Sequence, residues 1–125
     1  NKKNIQVEFQ KDAELSSINA DLRLIQICFE CLIDNAVKYS HANSIIVVNA
    51  YFDKNQTVVE FIDSGVGFSD TALKKIFSFF GVGDKHIDQN TGLNLAIVKL
   101  IMNVHRGDIK VTNNKSGGAT VKLFF

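Results

Sequence analysis

Residues 22–39 read LRLIQICFECLIDNAVKY, and this stretch decides the fold because its apolar residues recur at helical spacing. The positions that form this pattern are Leu24, Ile25, Cys28, Phe29, Leu32, Ile33 and Ala36. Asp21, directly before the stretch, is a suitable N-cap because its side chain can accept hydrogen bonds from the first free backbone N–H groups. The sequence therefore predicts one long helix with a single buried face.

Short runs of β-branched and aromatic residues predict five strands around this helix, one before it and four after it. The predicted strands are residues 5–9, 44–51, 57–62, 109–112 and 119–125. Polar segments at residues 53–56 and 113–118 separate two pairs of neighbouring strands, and such segments are typical of hairpin turns. The sequence therefore predicts two antiparallel hairpins.

Two further helices are predicted in the second half of the chain. Residues 70–80 form a short one, and residues 92–105 have apolar residues at helical spacing and end before Gly107. The intervening residues 81–91 have no periodicity and predict a mobile loop. The sum is an α+β fold, a two-layer α/β sandwich with a mixed five-stranded sheet and three helices on one face.

The composition indicates a single globular domain over residues 1–125, with a mass of 13.9 kDa. Apolar residues make up 46% of the chain and charged residues 22%, which argues against disorder. The net charge of +1 excludes nucleic-acid or membrane binding driven by bulk charge, and no apolar run is long enough to span a membrane. Because the chain begins at Asn1 without a methionine, we expect it to be a piece of a longer protein.

The two cysteines, Cys28 and Cys31, have the C-x-x-C spacing of redox and zinc motifs. A structural zinc site needs a second pair of ligands, and the sequence has no second pair of cysteines. Both lie within the apolar pattern of the long helix. We therefore expect two reduced and mostly buried thiols, which is typical of a cytosolic protein.

Three polar side chains share one face near the end of the long helix. At 100° per residue, Tyr39 lies about 40° and Lys38 about 60° from Asn35 around the helix axis. An amide oxygen, an ammonium group and an aromatic ring suit a metal-bound polyphosphate and a base. The alternative, which this helix alone leaves open, is a solvated helix end.

Two glycine-containing segments have similar potential. Residues 63–67, DSGVG, follow a predicted strand, so that a carboxylate stands beside a backbone that a ligand can approach closely. Residues 90–93, NTGL, open a predicted helix, where backbone N–H groups can bind an anion. The alternatives are a plain tight turn and an ordinary helix cap, because each motif is weak by itself.

Taken together, the order and spacing of these segments resemble the ATP-binding catalytic domain of sensor histidine kinases, within the GHKL ATPase superfamily. The resemblance covers nearly the whole chain. The matching segments are residues 31–40 (the N box), 63–67 (the first glycine box), 76–80 (the F box), 90–99 (the second glycine box) and 118–120, in the strand that closes such domains.

The resemblance implies specific roles for residues on the adenine and phosphate sides of an ATP site. Asn35 would coordinate Mg²⁺ that bridges the phosphates, Lys38 would contact a phosphate, and Tyr39 would flank the adenine. Asp63 would accept a hydrogen bond from the adenine amino group, with Thr120 close by.

The resemblance also implies which residues surround the nucleotide. Gly65 and Gly67 would let it lie against the backbone, and Phe80, with Phe77, would pack at the base of an ATP lid formed by residues 81–91. The phosphate-binding turn at the start of the last helix would contain Thr91, Gly92 and Leu93.

The partners that the resemblance implies lie outside this chain. The γ-phosphoryl acceptor would be a histidine on the protein's own dimerisation domain, and a response regulator receiver domain would follow in the phosphorelay. His41, His86 and His105 do not match the acceptor motif of the family. We therefore expect a cytoplasmic, monomeric catalytic fragment with no direct membrane or nucleic-acid contact, and membrane anchoring of the parent protein is left open.

Departures from the family pattern keep two alternatives open. Cys31 stands where these kinases usually carry asparagine, and Asn90 and Asn94 stand where glycines are usual. These changes favour a degenerate nucleotide-binding regulatory module, a pseudokinase with weak or no phosphotransfer. A superfamily ATPase of the gyrase or chaperone type is disfavoured, because position 31 lacks the glutamate base of those enzymes.

Overall fold

The computed structural model describes residues 4–11, 20–70, 73–74 and 89–125, and within them five strands form one sheet with the order β1-β2-β3-β5-β4. The strands are β1 (Gln6–Lys11), β2 (Ile45–Asp53), β3 (Gln56–Ile62), β4 (Asp108–Asn113) and β5 (Ala119–Phe124), and the helices are α1 (Leu22–Tyr39) and α2 (Gln89–Val104). β1 pairs in parallel with β2, whereas the other neighbours are antiparallel. The predicted α+β fold with a mixed sheet is confirmed.

The long helix α1 has the predicted bounds. It begins at Leu22, and the Leu24 N–H donates to Oδ1 of the N-cap Asp21 at 3.2 Å. It ends at Tyr39, after which Ser40 has an extended backbone. The buried residues of the helix are Cys28, Cys31, Leu32, Asn35 and Ala36. Four of these five belong to the apolar face or lie beside it, so the amide of Asn35 is the unusual buried group.

The turn between β2 and β3 is as short as a hairpin allows. Asp53 pairs with Gln56, which leaves Lys54 and Asn55 as the two loop residues. Their φ values are +50° and +66°, as a type I′ turn requires at both central positions. This turn matches the right-handed twist of the strands, and asparagine adopts the left-handed backbone more readily than most residues.

The core lies between the helices and one face of the sheet. Two rows of buried side chains cross the sheet in register, Val48, Phe61, Val121 and Val111 in one row and Ala50, Val59, Leu123 and Ile109 in the other. From the helix side, α1 contributes its buried face and α2 contributes Leu95, Val98, Ile101 and Met102. The alternation of buried and exposed residues along β2 sets the register, because a shift by one residue would expose the whole row.

The observed strands differ from the predicted ones by at most two residues at either end, whereas the second and third predicted helices differ more or lie partly outside the described residues. α2 begins at Gln89, three residues before the predicted start at residue 92, because a polar first turn carries no apolar periodicity although nothing in it prevents a helix. Of the predicted helix at 70–80, the described part includes a hydrogen bond of 2.9 Å from the Leu73 N–H to the Ser69 carbonyl. The remainder of that helix and residues 81–88 of the predicted loop lie outside the described residues.

The two described helices run antiparallel and are tied at one end by His105. The backbone N–H of Asp21, at the start of α1, donates to His105 Nε2 at 2.9 Å. Since Nε2 accepts, the proton of the neutral ring lies on Nδ1, which donates to the Ile101 carbonyl at 2.8 Å. The ring also meets Phe125 edge-on, with a centroid separation of 6.2 Å. His105 therefore has a structural role.

We predict that His105→Ala lowers the free energy of unfolding by about 1 kcal/mol, the usual net value of an intramolecular hydrogen bond. The measurement is urea denaturation followed by circular dichroism. His41→Ala is the matched control, because His41 is exposed and the hydrogen bond that it accepts from the Ser44 hydroxyl uses its backbone carbonyl, which alanine keeps. Equal denaturation midpoints for the two variants would contradict the structural role.

Both cysteines are free thiols on the buried face of α1, as predicted. Burial, and secondarily the neighbouring Cys31, raise the pKa of Cys28 to about 12. The pKa of Cys31 is also raised, first by burial and then by the negative charges of Asp34 and Glu30. Because the thiolate is the reactive form, neither environment favours redox chemistry or metal binding.

We predict that Cys28 in the folded protein resists alkylation by iodoacetamide at pH 8. Raising the pKa from 9.0 to about 12 lowers the thiolate population of Cys28 about a thousandfold, and burial blocks access as well. Peptide mapping by mass spectrometry compares labelling of the folded and the guanidinium-unfolded protein, in which both thiols should react rapidly. Labelling of Cys28 at the same rate in both states would refute this prediction.

Candidate ATP site

Four of the predicted site residues meet at a pocket between the C-terminal half of α1, the loop that follows β3, and the β4–β5 hairpin. It is a narrow cleft that is partly open to solvent. The lining residues are Leu32, Asn35, Ala36, Tyr39, Phe61, Asp63, Gly67, Phe68, Ala119 and Val121. The structure thus brings together Asn35, Tyr39, Asp63 and Gly67, which are far apart in the sequence.

Asp63 is a buried carboxylate, 7% exposed, at the end of β3. Its Oδ1 accepts from the backbone N–H groups of Gly65 at 3.0 Å and Ala119 at 3.2 Å. Among the described residues, Oδ2 has no hydrogen-bond partner. The loop therefore fixes the orientation of the carboxylate through one oxygen and leaves the other to accept a hydrogen bond from a ligand.

The glycines beside Asp63 permit close contact between backbone segments. A Cβ at Gly65 would lie 1.8 Å from the carbonyl oxygen of Tyr39, the last residue of α1. Gly118 has φ +84°, and a Cβ there would lie 2.1 Å from the Asp63 carbonyl oxygen. Gly67, with φ +71°, lines the pocket itself. Gly65 thus has the role of a tight-packing turn residue, whereas Gly67 stands where a ligand would contact the backbone.

Thr120 is connected to Asp63 from behind the pocket. Its hydroxyl donates to Asn114 Oδ1, and Asn114 Nδ2 donates to the Asp63 carbonyl at 3.1 Å. Thr120 does not line the pocket, since along β5 its neighbours Ala119 and Val121 face that side. The structure therefore places Thr120 close to Asp63, as expected, but as a support. The intermediary Asn114 is a residue that the sequence reasoning missed.

Phe68 is a pocket residue that the sequence reasoning also missed. Its ring packs against that of Tyr39, with centroids 5.3 Å apart and planes inclined at 59°. The side chain of Asn113 holds the Phe68 backbone from both sides, accepting from its N–H at 2.9 Å and donating to its carbonyl at 2.6 Å. An aromatic residue just after a glycine loop is a visible signal, but only the packing on Tyr39 shows its use.

The polar residues of α1 divide between the interior and the rim. Asn35 is 6% exposed, and its Oδ1 accepts from Asn94 Nδ2 at 3.2 Å. Its Nδ2 is buried and has no hydrogen-bond partner among the described residues. Lys38 is exposed outside the pocket, with Nζ 5.6 Å from the centroid of the Tyr39 ring. Asn35 thus belongs to the interior of the domain, whereas Lys38 lies at its exposed rim.

The predicted phosphate-binding segment lies at the start of α2. Thr91, Gly92 and Leu93 belong to the first turns of that helix, which begins at Gln89. The bond from Asn94 to Asn35 places this end of α2 beside the end of α1 that lines the pocket. Free backbone N–H groups and the positive end of the helix dipole favour an anion there. Phe80 lies outside the described residues.

Two absences in the described part of the chain bear on its chemistry and its relation to membranes. No group of three or more His, Cys, Asp or Glu side chains is arranged there to hold a metal ion. Within the same residues, no helix combines the length and the apolarity needed to cross a bilayer.

Comparison with known proteins identifies relatives over the whole domain. The family model described as histidine kinase-, DNA gyrase B- and HSP90-like ATPase matches residues 20–125. Sensor protein KdpD of Clostridium acetobutylicum is 37% identical over 124 residues, which are 97% of this chain and 14% of that protein. Heme sensor protein HssS of Staphylococcus saprophyticus is 34% identical over 114 residues, which are 91% of this chain and 25% of that protein. The chain thus spans a small part of each relative's length.

The fold comparison agrees with the sequence comparison. The catalytic domain of the histidine kinase ThkA, in a nucleotide-free form, superposes with a TM-score of 0.81 at 25% identity, covering 99% of this chain and 80% of that chain. The chain therefore belongs to the histidine kinase-, DNA gyrase B- and HSP90-like ATPases, and within them it is a catalytic ATPase domain of the sensor histidine kinase type.

Proposed function

We propose that this domain binds Mg-ATP in the pocket between α1 and the loop after β3, and donates the γ-phosphoryl group to a histidine on a separate dimerisation domain. The single observation that carries the proposal is Asp63, a buried carboxylate with Oδ1 held by two backbone N–H groups and Oδ2 unpartnered among the described residues. The phosphoryl group would pass from that histidine to a response regulator.

The adenine side of the proposed site follows from the pocket walls. An ionised carboxylate only accepts hydrogen bonds, so Asp63 Oδ2 suits the exocyclic amino group of adenine. The rings of Tyr39 and Phe68 supply aromatic surface, and Leu32 and Ala119 supply apolar walls. An apolar pocket with one well-placed polar group is the usual design of a site for a planar base.

The phosphate side depends on Asn35. Its Oδ1 is a hard amide oxygen of the kind that Mg²⁺ accepts, and its unpartnered Nδ2 is a buried donor that a phosphate oxygen would satisfy. Mg²⁺ sites often have only one or two protein ligands, because nucleotide phosphates and water supply the rest. A site with Asn35 as its protein ligand therefore fits the metal. The bound ion would neutralise phosphate charge.

The remaining residues of the chain position the nucleotide. Lys38 at the rim would contact a phosphate, and the first turn of α2, with Thr91 and Gly92, would donate backbone N–H groups to the phosphates. Phosphoryl transfer depends mainly on alignment and charge stabilisation, so a domain that holds ATP in one orientation supplies most of what the reaction needs.

We predict that Asp63→Asn lowers the affinity for a non-hydrolysable ATP analogue with Mg²⁺ by at least about tenfold. The asparagine retains an acceptor for the Gly65 and Ala119 N–H groups but turns an NH₂ group toward the adenine amine, and two donors cannot pair. Isothermal titration calorimetry gives the affinity, and the exposed Asp53→Asn is the matched control. Equal affinity in both variants would remove Asp63 from the site.

A second candidate is a regulatory domain that holds nucleotide and transfers phosphate slowly or not at all. The observation in its favour is that Asn35 Oδ1 is already bonded to Asn94. A second observation in its favour is that Cys31 lies one turn before Asn35. The soft thiol of Cys31 is a poor ligand for Mg²⁺. These features concern turnover rather than nucleotide binding.

Phosphotransfer in the full-length protein separates the two candidates. We predict that γ-labelled ATP transfers its label to the protein in a Mg²⁺-dependent, acid-labile form, as expected for phosphohistidine, and that Asn35→Ala reduces the labelling at least about tenfold. Nucleotide binding without labelling would favour the regulatory candidate. ATP hydrolysis by the isolated domain would instead favour the superfamily ATPase alternative.

A further inference from the structure

One hydrogen bond joins the two helices directly at the proposed metal ligand. Asn94, in the sixth position of α2, donates from Nδ2 to Asn35 Oδ1 at 3.2 Å. Asn35 is almost fully buried, and no other hydrogen bond to its side chain is found among the described residues. The side chain of Asn94 therefore already occupies one acceptor site of the Asn35 oxygen that the proposed function assigns to Mg²⁺.

We infer that Asn94 is a positioning residue that holds Asn35 Oδ1 through a hydrogen bond and thereby weakens its binding to Mg²⁺. The inference rests on the proposed function and adds to it a residue that sets the Mg²⁺ dependence of nucleotide binding. Asn94 acts on the metal through Asn35 and contacts neither the adenine nor the reacting phosphate in this role.

The direction of the effect follows from the charges of the bond. An amide oxygen has two acceptor sites, and the Asn94 N–H occupies one of them. The same N–H has a partial positive charge within hydrogen-bond distance of the oxygen that would face the cation, so it opposes the cation electrostatically. A hydrogen bond that a metal ligand donates makes the ligand more basic, and the Asn94 bond has the opposite sense.

Burial determines what happens when the bond is removed. The side chain of Asn35 is only 6% exposed, so packing holds it in place without Asn94. Removal of the donor should therefore free the oxygen rather than disorder the amide. An alanine at position 94 also keeps α2 intact, since alanine is the best helix former.

The test measures the affinity for the non-hydrolysable analogue AMPPNP by calorimetry, once with EDTA and once with saturating Mg²⁺. Wild type, Asn94→Ala and the control Asn103→Ala are compared. Asn103 carries the same side chain on the same helix and is exposed. We expect the Mg²⁺-dependent gain in affinity to be about three- to tenfold larger in Asn94→Ala, the range of an ordinary net hydrogen bond. Affinity in EDTA should not change, and Asn103→Ala should behave as wild type.

Two further measurements protect the test against a merely structural effect. The ¹H–¹⁵N resonances of the Asn35 side-chain amide in the nucleotide-free protein should shift in Asn94→Ala and not in Asn103→Ala. Asn94→Asp is isosteric, cannot donate when ionised and adds a negative charge, so it should raise the Mg²⁺-dependent gain at least as much as alanine does.

The outcomes separate this inference from the proposed function. An Mg²⁺-dependent gain that is equal or smaller in Asn94→Ala overturns the inference and leaves nucleotide binding standing, as does binding that is independent of Mg²⁺ in every protein. Binding by Asn94→Ala but not by wild type supports the inference strongly. If neither protein binds AMPPNP with or without Mg²⁺, the proposed function fails and the inference fails with it.

Discussion

The Asp63 carboxylate joins the loop after β3 to the β4–β5 hairpin, and the geometry of the pocket depends on that junction. Its Oδ1 accepts from Gly65 and Ala119, while Val66 N–H donates to the Tyr39 carbonyl and so ties the same loop to the end of α1. A buried charge needs such donors, because an unpaired carboxylate in the interior is costly. These two hydrogen bonds use Oδ1 of Asp63 and leave Oδ2 to accept a hydrogen bond from a ligand.

The helix layer is organised by two polar ties at opposite ends of an antiparallel pair. At the end remote from the pocket, His105 links the start of α1 to the end of α2. At the pocket end, Asn94 links α2 to Asn35. The hydrophobic effect itself is non-directional, so the two polar contacts add a directional constraint to the apolar packing between them. The His105 contact lies at the end remote from the pocket, whereas the Asn94 contact involves Asn35, the side chain proposed to bind the metal.

Local patterns in the sequence were sufficient for α1 and for the first hairpin. The bounds of α1 follow from the Asp21 cap and the apolar spacing, and the turn between β2 and β3 lies within the polar segment of residues 53–56. The start of α2 was predicted three residues late, because the residues of its first turn are polar and create no apolar periodicity. Apolar periodicity in a sequence indicates which residues of a helix are buried, so a polar helical turn gives no such signal.

The sequence by itself determined the α+β class, the strands, the buried face of α1, and the set of polar residues from which a nucleotide site could be built. Only the tertiary structure decided how those residues are used. Thr120 supports Asp63 through Asn114 rather than lining the pocket, and Phe68 faces Tyr39 because Asn113 holds its backbone. The contact between Asn94 and Asn35 joins residues 59 positions apart. Such contacts depend on how helices and sheet pack in three dimensions, and no local periodicity carries that information.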